Sequence, residues 1–205
     1  FEKNTAIMNS GKTVHFDALV LAVGVRANTS LIKDINGEVN RGILVNTKME
    51  TSIPDVYAAG DCTEGEDISF QGKRVLAILP NAYMQGNCAG VNMAGNSAVF
   101  DKAIPMNSIG FFGLHAMTAG SYYTAEQGGE LYEEKTEHTL KRLFTKDDYL
   151  TGFILIGATD RAGIYTSLIR DRIPLSSINF ERLKKTATST AFSAEKRKQF
   201  FGGVV

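Results

Sequence analysis

The sequence lacks tryptophan and has only two cysteines among 205 residues. Cys62 and Cys88 are far apart and form no Cys-x-x-Cys pair, which argues against a disulfide scaffold or a thiolate metal site. The three histidines, His15, His115 and His138, show no ligand spacing either. We therefore expect no bound metal.

Net charge and long apolar runs are also absent. The chain carries 22 Lys and Arg against 22 Asp and Glu, so it lacks the basic footprint of a protein that binds nucleic acid or an anionic membrane. No apolar run is long enough to span a membrane, and residues 1–4 do not resemble a signal peptide. We expect a cytoplasmic protein that has neither nucleic acid nor a membrane as a partner.

Two further absences concern cofactor binding and completeness. No Gly-x-Gly-x-x-Gly follows a predicted strand, so the phosphate cradle of a dinucleotide-binding domain is missing. Phe1 is not a methionine, and the chain opens without a cap or turn before its first strands. These features predict a piece of a longer protein.

The most informative segment that is present is 51–61, Thr-Ser-Ile-Pro-Asp-Val-Tyr-Ala-Ala-Gly-Asp. It predicts a turn and then a short buried strand over 56–59. Gly60 would let a ligand approach the backbone, and Asp61 would accept hydrogen bonds from ribose or polyol hydroxyls at the carboxyl end of that strand. The alternative is that Asp61 only caps a turn.

The elements around this segment follow from local patterns. Residues 17–23 predict a strand buried on both faces and broken by Gly24, whereas 63–70 predict a solvated polar loop. The residues Pro80-Asn81-Ala82 open a predicted helix that ends before Gly95.

A change in character between residues 96 and 105 predicts a domain boundary. Five strand-like segments with short polar connections follow and predict an antiparallel sheet. They are Ser108 to Leu114, Met117 to Thr124, Glu130 to Thr136, Thr139 to Thr145 and Tyr149 to Gly157. Residues 162–172 predict an amphipathic helix with Asp160 as its N-cap, and 176–183 predict another short helix.

Several of these segments together resemble a known family. The likeness is carried by residues 17–28, 42–46, 51–61, 80–86 and 92–95. In them the chain resembles the carboxyl-terminal half of the FAD-dependent pyridine nucleotide-disulphide oxidoreductases. The similar branch contains rubredoxin reductases, NADH oxidases and nitrite-reductase-like flavoproteins.

The resemblance implies an α/β plus α+β fold class. A partial Rossmann-like FAD/NAD(P)-binding segment would precede an antiparallel-sheet interface domain with flanking helices. Residues 1–30 would end the NAD(P)-binding domain, and 31–100 would form the second segment of the FAD-binding domain. Residues 101–185 would form the interface or dimerisation domain, and 186–205 a weakly ordered tail.

The resemblance also assigns cofactor-binding residues. Asp61 would accept a hydrogen bond from a ribityl hydroxyl of FAD, with Gly60 against the pyrophosphate and ribityl portion. At the helix begun by Pro80, the backbone N–H groups of Asn81 and Ala82 would face the pyrimidine edge of the flavin. The positive end of the helix dipole favours the charge that reduced flavin develops there.

The remaining conspicuous residues receive no catalytic role. Gly24 is also expected among the cofactor-binding residues, and it would mark the point where the chain crosses from the NAD(P)-binding to the FAD-binding domain. The family's redox cysteines belong to the amino-terminal FAD segment, so Cys62 and Cys88 are expected to pack as small apolar residues.

The expected function is part of a flavoprotein that passes electrons from NAD(P)H through FAD to an acceptor such as rubredoxin or oxygen. FAD and NAD(P)H would be cofactors of the whole protein. This chain alone would be inactive and would hold little or no FAD. Its partners would be the amino-terminal remainder of the enzyme, a second copy in a homodimer and an unnamed electron acceptor.

Two alternatives stay open. The chain could be a non-catalytic dimerisation or interaction module built on the sheet over 108–157, with Phe111, Phe112 and Leu114 as an apolar patch. It could also be a complete small enzyme that acts through Cys62 and His115.

Overall fold

The computed structural model describes residues 4–70 and 72–201. The strands are β1 Thr5–Ile7, β2 Thr13–His15, β3 Ile43–Leu44, β4 Thr63–Asp67, β5 Gly72–Arg74, β6 Met106–Phe111, β7 Leu114–Gly120, β8 Glu130–Lys135, β9 Leu140–Lys146 and β10 Tyr149–Ile156. The α-helices are α1 Ser30–Lys33, α2 Leu79–Met93, α3 Ala162–Arg170, α4 Phe180–Lys185 and α5 Ala194–Phe201.

The amino-terminal hairpin pairs β1 with β2, and an irregular segment follows it. The strand predicted over 17–23 is wrong, because residues 16–29 contain neither helix nor strand. Val20 and Val23 are strongly exposed, Val23 to 91%. A strand needs a neighbour for its backbone N–H and C=O groups, and the described residues place none beside this apolar segment.

A small three-stranded sheet joins β3 in parallel to β4, and β4 in antiparallel to β5. The solvated loop predicted over 63–70 is therefore wrong. Thr63, Glu64 and Asp67 of β4 are buried, because their side chains find hydrogen-bond partners inside the fold. The strand predicted over 56–59 is reduced to a single bridge between Glu50 and Tyr57.

Helix α2 covers this small sheet and confirms the helix predicted at Pro80. Pro80 occupies its second position, where a missing N–H costs nothing, and Gly95 follows its end at φ +81°. An apolar cluster beneath it includes Ile32, Ile43, Val45, Met49, Cys88 and Ala89.

The antiparallel sheet predicted for the second half of the described chain is confirmed, and its five strands have the order β6-β7-β10-β9-β8. The turn between β6 and β7 lies at Phe112 and Gly113, three residues earlier than predicted. Helix α3 packs against β10 and β7. A second apolar cluster fills this part, with Leu143, Phe153, Tyr165, Leu168 and Leu183 among its buried members.

The carboxyl-terminal region differs from expectation in two details. The N-cap of α3 is Arg161, at φ 58°, and not Asp160. The weak order predicted for 186–205 does not describe residues 186–201, which contain a 3₁₀ turn and α5, and whose Phe192 packs into the second cluster. The rest of that predicted tail, 202–205, lies outside the described residues.

Within the described part of the chain, no helix combines the length and the apolar character that crossing a membrane requires.

Candidate functional site

The Gly60-Asp61 turn lies against the first turn of α2. Gly60 has φ +90°, a conformation that L-residues rarely adopt, and a Cβ built on it would lie 3.7 Å from the Cβ of Ala82. Residues 51–61 and the start of α2, which the sequence singles out separately, thus meet in one place.

A glutamine side chain fixes this meeting point. The backbone N–H of Gly60 donates to Oε1 of Gln85 at 2.7 Å. The hydroxyl of Thr63 lies 3.0 Å from the same oxygen and 2.8 Å from the carbonyl oxygen of Gly60. Gln85 and Thr63 are both buried. The sequence analysis did not predict a role for either residue. The spacing offered a signal for Gln85, because it lies four residues after Asn81 and therefore on the same face of the helix.

The amino terminus of α2 has no side-chain cap. Its N-cap residue is Ile78, and Pro80 has no N–H. The N–H of Ala82 donates to the carbonyl oxygen of Ile78 at 3.1 Å, so it is already used by the helix. Of the two amides expected to face a ligand, that of Asn81 is therefore the better candidate.

The side chain of Asn81 ties α2 to the second half of the chain. It is completely buried, at 0% exposure, and its Nδ2 donates to the carbonyl oxygen of Ile104 at 3.1 Å. Its Oδ1 is buried without a hydrogen-bond partner among the described residues. An unsatisfied buried acceptor is uncommon in folded proteins, and it distinguishes the start of α2 from an ordinary helix start.

Asp61 is exposed, and no described residue donates a hydrogen bond to its carboxylate. An acceptor-only carboxylate, a glycine with positive φ and an uncapped helix terminus therefore lie together. This combination suits a ligand that presents hydroxyl groups to Asp61 and an electron-rich edge to the helix.

A cleft of about 440 Å³ opens beside the same helix terminus. Helix α2 contributes Leu79 and Pro80, and the five-stranded sheet contributes Met106, Met117 and Phe153. This largely apolar lining suits a flat ring system more than a sugar or a phosphate.

Gly24 is not brought to this site. It has φ +91°, a backbone conformation that favours glycine, but a Cβ built there would meet no heavy atom within 4 Å. Its predicted position at a domain crossing remains a prediction.

The cysteines and His115 do not form a catalytic pair. The Sγ of Cys62 lies 3.6 Å from the carbonyl oxygen of Ala59 and packs against the first apolar cluster. Burial raises the pKa of the Cys88 thiol, which opposes thiolate formation. His115 lies on β7, and no hydrogen bond between it and Cys62 occurs in the described chain. Within residues 4–70 and 72–201, no three His, Cys, Asp or Glu side chains form a metal-binding group.

Comparison with known proteins gives this arrangement a context. Residues 2–86 match the family model described as pyridine nucleotide-disulphide oxidoreductase. Over these residues the chain belongs to this family. The match covers the Gly60-Asp61 turn and the first half of α2, which are the residues that form the site.

Two curated relatives extend the match. Over 177 residues the chain is 36% identical to the epsilon subunit of the NADH-dependent phenylglyoxylate dehydrogenase of Aromatoleum evansii, covering 83% of this chain and 41% of that protein. Over 117 residues it is 36% identical to the NADH-rubredoxin oxidoreductase of Clostridium acetobutylicum, covering 57% of this chain and 29% of that protein. The chain thus spans less than half the length of either relative.

A solved structure shows the same fold. The FAD-dependent pyridine nucleotide-disulphide oxidoreductase of Desulfovibrio vulgaris matches with a TM-score of 0.73 at 23% identity, over 89% of this chain and 50% of that chain. The match includes both halves of the described chain and therefore supports the fold class predicted from the sequence.

Proposed function

We propose that this chain is part of an FAD-dependent NAD(P)H oxidoreductase and that it supplies one side of the flavin site. The observation that carries the proposal is the contact between the Gly60-Asp61 turn and the start of α2. FAD presents ribityl hydroxyls and an electron-rich pyrimidine edge a short distance apart, and those are the groups that the turn and the helix terminus suit.

Each residue of the site has a separate part in this proposal. Asp61 accepts a hydrogen bond from the ribityl chain, and Gly60 leaves room for the ligand because it has no side chain. The backbone N–H of Asn81, together with the positive end of the α2 dipole, faces the pyrimidine edge. Ala82 contributes the small side chain that lets the turn approach the helix.

Bound FAD would supply the chemistry of hydride acceptance from NAD(P)H and of onward electron transfer. The chain's own contribution is to bind and orient. The apolar cleft beside Pro80 excludes water from one side of the ring system. The names of two relatives include NADH, which supports a nicotinamide donor, and one includes rubredoxin.

We further propose that another polypeptide segment completes the site. Four apolar side chains between residues 20 and 25 are exposed in the irregular segment, at positions Val20, Leu21, Val23 and Val25. An apolar segment of this kind is suited to pairing within a larger sheet. In this proposal residues 1–30 end an NAD(P)-binding domain, 31–100 belong to the FAD-binding domain, and 101–185 form an interface domain.

The test compares two purified proteins: the 205-residue chain and the product of the whole reading frame that contains it. We expect the longer product to show flavin absorbance that bleaches on addition of NADH or NADPH. We expect the 205-residue chain to purify without flavin. A longer product with no flavin, or tight stoichiometric flavin on the short chain, would contradict the proposal.

A second candidate function is a non-catalytic dimerisation or interaction module. It is favoured by the tip of the β6–β7 hairpin, where Phe111, Leu114 and the 96% exposed Phe112 form an apolar surface. Phe112 has φ 47° in the two-residue turn, where asparagine is well tolerated. Phe112→Asn should therefore keep the fold. If sedimentation finds a dimer in the wild type and a monomer in Phe112→Asn, this module is supported, and a monomeric wild type at high concentration opposes it.

A further inference from the structure

A second cavity, of about 100 Å³, lies away from the start of α2, between the end of β4, the β9–β10 hairpin and the end of α3. Its polar lining includes Ser69, Tyr123, Lys146, Tyr149 and Arg172. This volume is several times what one water molecule requires, so the cavity can admit a small ion.

Two cationic side chains face this cavity from different elements. Lys146 ends β9, and its Nζ lies 4.6 Å from the centroid of the Tyr123 ring. Arg172 follows α3, and its guanidinium lies 4.8 Å from the centroid of the Tyr149 ring. The hydroxyl of Tyr123 in turn donates to the carbonyl oxygen of Ser69 at 3.2 Å. The aromatic rings therefore hold both cations in defined positions without neutralising their charge.

Neither cation has a carboxylate partner within the described part of the chain. Two of the three neighbouring carboxylates are directed elsewhere. Asp148 accepts hydrogen bonds from the amide and hydroxyl of Ser176, and Asp171 pairs with Lys102 at 2.9 Å. Asp147 lines the cavity, which leaves the lining with one positive charge in excess. The cavity thus favours an anion.

Arg172 has a strained backbone conformation. Arg172 has φ 47°, and its N–H donates to the carbonyl oxygen of Ile169 while the N–H of Ile173 donates to that of Leu168. These two bonds form a Schellman motif, in which glycine is the usual residue at the position of Arg172. A side chain held in a conformation that glycine would adopt without strain points to a role for that side chain.

We propose that this cavity binds a small oxyanion of the phosphate type between Lys146 and Arg172. The guanidinium offers paired N–H donors that match the geometry of a phosphate, and the ammonium group adds a point charge from the other side. The same chemistry is offered by inorganic phosphate and by the phosphate group of a nucleotide. The site is independent of the proposed flavin site.

The test is titration of the 205-residue chain with inorganic phosphate, AMP and acetate, followed by amide NMR shifts and calorimetry at low ionic strength. Arg172→Gly and Lys146→Ala remove one cation each, and Lys33→Ala removes an exposed lysine of α1 as a control. Arg172→Gly suits this purpose because glycine relaxes the backbone strain, so its thermal unfolding midpoint should not fall.

We expect saturable shifts at Ser69 and Thr151 with phosphate or AMP, and affinity reduced about tenfold or more in both cavity variants but unchanged in Lys33→Ala. Tighter binding of AMP than of phosphate would identify a nucleotide as the source, and the reverse order would identify the free ion. Linear, unsaturated shifts, equal affinity for acetate, or full affinity in Arg172→Gly would each overturn the proposal.

Discussion

The backbone N–H of Gly60 donates a 2.7 Å hydrogen bond to Oε1 of Gln85. This bond joins the turn before β4 to the second turn of α2, so the position of Asp61 depends on a buried side chain that lies twenty-five residues after Gly60 in sequence. The flavin-binding role that we propose for Asp61 therefore depends on Gln85 as a positioning residue.

Replacement of Gln85 by alanine should destabilise the chain by about 1–3 kcal/mol, because the amide of Gly60 loses its acceptor and the hydroxyl of Thr63 keeps only the carbonyl oxygen of Gly60. Urea unfolding followed by circular dichroism measures the change. Asn87→Ala, an exposed site on the same helix, should change stability by less than about 0.5 kcal/mol. If both variants changed the free energy of unfolding equally, the hydrogen bond between Gly60 and Gln85 would not contribute to stability.

Two glycine-to-alanine substitutions should change the free energy of unfolding in opposite directions. Gly60→Ala should lower the stability by about 1–2 kcal/mol, because alanine is strained at the positive φ of this position. Steric contact adds little, since the nearest atom to the new Cβ would lie 3.7 Å away. Gly86→Ala, inside α2 with open space around its Cβ, should stabilise the chain by about 0.5–1 kcal/mol. Thermal unfolding of both variants tests this pair. A stabilising Gly60→Ala would mean that the turn is not held at positive φ.

Glu64→Ala should be strongly destabilising, by about 2–4 kcal/mol. Its buried carboxylate accepts hydrogen bonds from the amides of Arg41 and Gly42 and from Nδ2 of Asn40, and these donors would be left without a partner. Glu66→Ala, an exposed carboxylate on the same strand, is the matched control and should be nearly neutral. Similar urea midpoints for both variants would contradict this assignment.

Tyr165 should make stability depend on pH in the alkaline range. Burial raises the pKa of its hydroxyl to about 12, and the hydroxyl donates to the carbonyl oxygen of Leu183 at 2.6 Å. Because the folded-state pKa exceeds the unfolded value, this stability is intact below about pH 10 and is lost as the pH rises toward 12. In this range the free energy of unfolding should fall by up to about 1.4 kcal/mol per pH unit.

The variant Tyr165→Phe isolates this contribution. It should lose about 1 kcal/mol at pH 8 through the missing hydrogen bond. Because only the wild type loses stability by titration of this hydroxyl, the difference should shrink above pH 10 and change sign before pH 12. Urea unfolding at several pH values gives the free energy of unfolding of the wild type and of Tyr165→Phe as a function of pH. Parallel curves across that range would mean that Tyr165 does not titrate differently in the folded state.

Local patterns predicted those parts of the fold that local chemistry determines. Pro80 and Gly95 mark the ends of α2, and the short polar connections between strands mark the antiparallel sheet. The strand predicted over 17–23 failed because a strand is stable only beside another strand, and the pattern of one segment does not reveal its neighbours. Strand β4 was missed because its acidic residues resemble a loop until their buried partners are known.

The same division holds for the candidate site. Gly60, Asp61 and Pro80 follow from a motif and its family resemblance, since the backbone requirements are local. Gln85 could not be predicted as a clamp, because its role exists only when the turn and the helix meet. Lys146 and Arg172 are twenty-six residues apart in sequence, and only the packing of α3 on the sheet brings them to one cavity.

The most direct test of the central claim is the FAD content of the protein made from the whole reading frame, with and without Asp61→Ala. Asp101→Ala, another exposed aspartate, serves as the control. We predict about one FAD per chain in wild type and control, and FAD affinity reduced about tenfold or more in Asp61→Ala, because a hydrogen bond to a charged acceptor is worth about 1.5–3 kcal/mol. Unchanged FAD affinity in Asp61→Ala would contradict the account.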